Sequence, residues 1–95
     1  MVESKTVARK FLISGEVQGV GYRYFALRAA ARHQVLGYVK NLDDGTVELF
    51  AEGSEKGVED FKHDLLAGPS FGRVEHLEEI VVDPSGFYSN FRIER

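Results

Sequence analysis

Residues 7–33 read VARKFLISGEVQGVGYRYFALRAAARH, and three successive textures within them decide the fold. From Val7 to Ser14 the residues are β-formers, with Val7, Phe11 and Ile13 on one alternating face, which predicts a strand. Gly15 to Gly21 holds three glycines in seven residues and predicts a loop. From Tyr22 to His33 the apolar positions Tyr22, Phe25, Ala26, Ala29 and Ala30 recur at helical spacing, with Arg28 and Arg32 off that face. This predicts a helix whose alanines allow close approach to a sheet.

The pattern continues on the C-terminal side. Leu36 to Asn41 reads as a second strand, Asp44-Gly45 as a hairpin turn, and Thr46 to Glu52 as an alternating third strand with Val47, Leu49 and Ala51 inward. Ser54 is placed to cap a second helix, on which Val58, Phe61 and Leu65 form the buried stripe and which Gly68-Pro69 ends. Val74 to Val82 reads as a strand with a bulge where Leu77 breaks the alternation, and Phe91 and Ile93 mark a short last strand. The order β-α-β-β-α-β plus a C-terminal strand predicts an α+β, ferredoxin-like α/β sandwich: an antiparallel sheet with two helices on one face. That fold hosts many activities and names none.

Composition narrows the classes. A chain of 95 residues is expected to form one domain over 1–95, with residues 1–6 a flexible N-terminus. It is 43% hydrophobic and 28% charged, the balance of a globular chain. The absence of cysteine excludes disulfides, thiolate nucleophiles, Cys-based zinc sites and iron–sulfur clusters, and suits a cytoplasmic protein. No apolar run reaches the length of a membrane span, and the polar start shows no signal peptide, so no membrane partner is expected. A net charge of −3 argues against a nucleic-acid partner, yet leaves room for a single anion site built from local dipoles and one or two cations.

Such a site is suggested by Gly15 to Arg23. A glycine-rich turn between strand and helix lets backbone N–H groups converge, and the helix N-terminus adds partial positive charge. Arg23 stands in the first turn, where a cation is misplaced with respect to the dipole; a bound phosphate would reconcile the two. From spacing alone, a tight turn beside a solvated arginine explains the residues equally well. The stretch is neither a Walker A motif nor a dinucleotide fingerprint.

The nine residues Gly15-Glu16-Val17-Gln18-Gly19-Val20-Gly21-Tyr22-Arg23 closely resemble the acylphosphatase signature G-x-V-Q-G-V-x-F/Y-R. Gly37-Tyr38-Val39-Lys40-Asn41 and Gly45-Thr46-Val47 match the family's second block, and Tyr88 to Ile93 resembles its closing strand. The resemblance implies hydrolysis of a small-molecule acyl phosphate by a monomer that needs no cofactor and no metal, with inorganic phosphate as product and inhibitor. It implies that Arg23 and the loop residues Gly15, Gln18, Gly19, Val20, Gly21 and Tyr22 hold the phosphoryl group. Asn41 would orient water, with Thr46 in support across the hairpin. Taken alone, Asn41 reads equally well as a turn-capping amide.

One departure stands out: the helix ends on His33-Gln34 where the family pattern has Leu-Gly. His33 is expected to be half-buried and favoured by the helix C-terminus, His63 and His76 to be surface residues, and Glu75, Glu78 and Glu79 to form a solvated strand edge. The alternatives are an RNA-recognition module, for which the third strand offers one outward aromatic, Phe50, between acids, and a phosphate-binding or regulatory module without turnover. A piece of a larger carbamoyl-phosphate-handling protein is a variant of the second, against which a chain that starts at Met1 speaks.

Overall fold

The computed structural model describes residues 5–19 and 21–95, so most of the expected flexible N-terminus lies outside it. Seven elements follow in order: β1 (Thr6–Glu16), α1 (Tyr22–His33), β2 (Leu36–Asn41), β3 (Val47–Ser54), α2 (Glu55–Ala67), β4 (Arg73–Val82) and β5 (Phe91–Glu94). The strands form one sheet in the order β4-β1-β3-β2-β5. Phe11 and Ile13 of β1, Val39 of β2 and Val47, Leu49 and Ala51 of β3 are buried against Ala26, Ala29 and Ala30 of α1 and Val58, Phe61 and Leu65 of α2. This is the ferredoxin-like sandwich expected from the strand and helix periods.

β1 pairs antiparallel with β3 and β4, and β2 antiparallel with β3. The last strand differs: β5 runs parallel to β2, which makes the sheet mixed. The connectivity explains the direction. The chain leaves β4 at one edge of the sheet, on the end where β2 begins, and crosses to the far edge before turning up beside β2. Residues 83–90 make this crossing, and Glu52 of β3 holds it midway. Glu52 is the one buried charged side chain among the described residues. Its carboxylate accepts hydrogen bonds from Ser85 N at 2.8 Å, Ser85 Oγ at 3.0 Å and Gly86 N at 3.0 Å.

Desolvation raises the Glu52 pKa, but the three hydrogen bonds to its ionised form together lower it below the ordinary value. A folded pKa below the unfolded one means that stability is present above the ordinary carboxylate range and is lost as pH falls through the folded value. Glu52→Ala is therefore expected to cost about 1–3 kcal/mol in denaturant unfolding at neutral pH. It should also flatten the acid limb of the stability profile. An unchanged acid limb would show that another carboxylate sets it.

The end of β1 and the place of the bulge differ from expectation for one reason. β1 does not end at Ser14 but continues through Gly15 and Glu16, which pair with Val74 and Arg73. The register shifts between Ser14 and Gly15, leaving Glu75 as the extra residue, so the bulge sits at Glu75 rather than at Leu77. Gly15 adopts φ 130°, and a Cβ there would stand 2.2 Å from the Arg73 carbonyl oxygen. Its role is close strand approach at the bulge. Gly37 is constrained in the same way, since a Cβ would come within 1.8 Å of the Phe50 carbonyl oxygen.

Ser54 caps α2 as expected, its Oγ accepting from Gly57 N at 3.0 Å. His33 is half-buried at the end of α1 and shares Asp64 of α2 with Arg32, at 2.8 and 2.6 Å. His63 and His76 are exposed. The acidic edge is solvated as expected: Glu75, Glu78 and Glu79 are all exposed, and Glu79 also pairs with Arg9 at 3.3 Å and Lys62 at 2.6 Å. Phe50 does not stand free for base stacking either, because Tyr38 stacks on it at 6.2 Å and Tyr88 covers it at 5.3 Å between centroids. Among the described residues, no helix is long and apolar enough to cross a membrane.

Candidate active site

Because β3 lies between β1 and β2 and runs against both, the C-terminal ends of β1 and β2 emerge on the same edge of the molecule. The N-terminus of α1 starts there too. These three ends enclose a cavity of about 160 Å³ lined by Val17, Gly19, Gly21, Tyr22, Arg23, Tyr24 and Asn41. The structure thus brings Arg23 and Asn41 together from positions 18 residues apart in sequence (41 − 23).

The local sequence makes this helix start unusual. Gly21 is the N-cap of α1, in the left-handed region at φ 77°, with no side chain to cap the helix and no acidic residue in the first turn. By contrast, α2 has both the Ser54 cap and Glu55 in its first turn. The start of α1 therefore keeps its dipole uncompensated, and Arg23 adds a full positive charge. Arg9, Arg32 and Arg92 all have carboxylate partners, whereas Arg23 has no ion pair among the described residues. Positive φ at Gly19, 75°, and at Gly21 bends the main chain around the cavity, and a Cβ at either position would meet no described residue beyond its chain neighbours within 4 Å. Those glycines are needed for their backbone angles, not for space.

Asn41 closes the cavity from the other side. Its Oδ1 is buried and has no hydrogen-bond partner among the described residues. A buried acceptor left unpaired costs about 1–3 kcal/mol, so its place on an anion-sized cavity points to a hydrogen-bond donor that arrives from outside the protein.

The remaining candidates divide. Tyr22 lines the cavity, but its ring is buried and its hydroxyl donates to the Leu65 carbonyl at 2.8 Å, tying α1 to α2. Burial pushes the phenol's pKa up, so it stays protonated. Gln18 does not line the cavity. Its Nε2 donates to the carbonyls of Leu42 and Thr46, both at 2.8 Å, which staples the loop to the hairpin that begins just after Asn41. Thr46 is also outside the cavity; its hydroxyl donates to Asp44 Oδ1 at 2.6 Å, and its support comes through the carbonyl that receives Gln18. Gly15 is held in β1, away from the cavity. Val20 lies outside the described residues. Two lining residues, Val17 and Tyr24, were not singled out by sequence; Tyr24 follows Arg23 on the solvent side of the helix, which was the available signal.

Fold and site together define a ferredoxin-like α/β protein with a small cavity between two strand ends and a helix N-terminus. The family model described as acylphosphatase matches residues 9–93. The chain is 41% identical over 81 residues to an acylphosphatase of Caldanaerobacter subterraneus subsp. tengcongensis, covering 85% of this chain and 90% of that one. It is 41% identical over 88 residues to an acylphosphatase of Petrotoga mobilis, covering 93% and 98%. Its fold is similar to the crystal structure of acylphosphatase from Bacillus subtilis, with a TM-score of 0.90 and 32% identity over 94% of this chain and 99% of that one. This chain belongs to the acylphosphatase family.

Proposed function

We propose that Arg23 and the loop around Gly19 and Gly21 hold the phosphoryl group of an acyl phosphate, while Asn41 orients the water that attacks it. The activity class follows from family membership: the chain is a hydrolase of carboxyl-phosphate mixed anhydrides. The residue assignment rests on one observation, the meeting of an unpaired arginine, an uncapped helix start and an unpaired asparagine oxygen on one small cavity.

The chemistry needs little more. The oxygen of water forms a bond to phosphorus as the bond from phosphorus to the acyl oxygen breaks, and the carboxylate leaves with the electron pair. The proton released by water ends on phosphate or solvent. A carboxylate is a good leaving group, so no acid must protonate it. Phosphoryl transfer asks mainly for positioning and charge stabilisation. The guanidinium fork matches two phosphoryl oxygens, and the helix dipole stabilises the negative charge. Asn41 Oδ1 accepts one water O–H, which aims the oxygen lone pair at phosphorus. Among the described residues, the cavity carries no carboxylate or imidazole to act as a base, and orientation alone can supply the needed rate.

We read the enzyme as a cytoplasmic monomer, with inorganic phosphate as its competitive product inhibitor. Lack of cysteine supports the first, the family resemblance the second, and the small cavity beside Arg23 the third. Phosphate should bind only the folded state. At about ten times its dissociation constant it should stabilise by about 1.4 kcal/mol. For a domain of this size, that is a midpoint rise of roughly 6–11 °C in thermal unfolding. Chloride at matched ionic strength should do much less. Gly19→Val, which forces a β-branched residue to φ 75°, should reduce both the phosphate-specific rise and turnover. Equal rises with phosphate and chloride in the unaltered protein would remove the cradle.

A further inference from the structure

The phosphoryl cavity continues into a second, wider space. Gly21 and Tyr24 line both, and beyond them a groove of about 670 Å³ runs between the first turns of α1 and the segment that follows α2. Its walls include Phe25, Arg28, Pro69 and Phe71. Two of these side chains stand in water without an evident packing role: Phe71 is 87% exposed and Tyr24 63%. The wall that carries Phe71 is shaped in advance, since Gly72 N donates to the Pro69 carbonyl at 3.1 Å and closes the turn from Pro69 to Gly72. Gly68, at φ 71°, sets that turn off from the end of α2.

We propose that this groove is the acyl subsite, and that it takes an acyl phosphate with a flat apolar body and a distal anionic group. The inference rests on the function proposed above. With the phosphoryl group in the small cavity, the acyl group must leave through its mouth, and Tyr24 borders that mouth on both sides. The rings of Tyr24, Phe25 and Phe71 with Pro69 offer an apolar surface suited to a planar body. Arg28 is the one charged residue along the groove and has no carboxylate partner among the described residues. It sits a helical turn beyond Tyr24, where it meets the far end of the acyl group and favours a carboxylate there.

The test compares kcat/KM for acetyl, benzoyl and para-carboxybenzoyl phosphate in the native enzyme, Phe71→Ala and Arg28→Gln. Each variant is read only as a ratio between substrates, which cancels differences in leaving-group reactivity and in the amount of active enzyme. Phe71→Ala should lower the benzoyl-to-acetyl ratio about tenfold, the scale at which a modest apolar contact discriminates substrates. Arg28→Gln should lower the carboxybenzoyl-to-benzoyl ratio by about three- to tenfold, and added salt should weaken that preference in the native enzyme. Either ratio staying within a factor of two of native would overturn the acyl subsite while leaving the hydrolase intact. Failure of the native enzyme to hydrolyse any of the three would instead overturn the proposed function.

Discussion

Arg23→Ala is expected to lower kcat/KM for an acyl phosphate by about 100- to 1,000-fold while the protein remains folded. The size follows from removing a preorganised charge contact to a transition state, about 3–4 kcal/mol. Folding should survive because Arg23 has no ion pair to lose among the described residues and its side chain borders an open cavity. Arg23→Lys should recover little. An ammonium is a point charge, and it lacks the planar fork that engages two phosphoryl oxygens at once. Circular dichroism and thermal unfolding establish that the variant is folded, and steady-state kinetics read the loss. Turnover within tenfold of native in a folded Arg23→Ala protein would take the arginine out of the mechanism.

The second large effect is expected at Asn41, and it should separate chemistry from binding. If Oδ1 aims the water and does not touch the phosphoryl group, Asn41→Ala should lose about 100-fold or more in kcat, on the scale of a lost orienting contact. Its inhibition constant for inorganic phosphate should stay near the native value. The variant should also be no less stable than native, because the truncated side chain removes a buried acceptor that has no partner among the described residues. Phosphate affinity and kcat falling together would place Asn41 in the anion cradle. That result would also remove the candidate that the described residues offer for positioning the nucleophile.

Much of this architecture was legible in the sequence, and the exceptions share a cause. The bounds of α1 and β2 follow from hydrophobic period and from the residues that flank them, both local signals. The extension of β1 through Gly15 and Glu16 does not, because glycine reads as loop unless its strand partners, Val74 and Arg73, are already known. The parallel direction of β5 is likewise set by where residues 83–90 cross, and Glu52, which reads as an outward strand residue, turns out to be the buried anchor of that crossing. At the site, Arg23 was readable as a cation in conflict with a helix dipole, and Asn41 only through the family resemblance. The Gln18 side chain, which staples the loop to the hairpin, could not be read in that role. Its two acceptors are main-chain carbonyls 24 and 28 residues away, and no side-chain pattern announces a carbonyl. Tyr24 escaped notice because an exposed aromatic beside a functional residue looks like ordinary surface until the groove beyond it is seen.

The central claim is that water, held by Asn41, attacks phosphorus held at Arg23. Hydrolysis of acetyl phosphate in ¹⁸O-labelled water tests it most directly, with the products of the enzyme-dependent fraction resolved by mass spectrometry. The account predicts one ¹⁸O atom in each phosphate released and none in the acetate. Label in the acetate would mean attack at the acyl carbon, and would contradict a cavity built around the phosphoryl group.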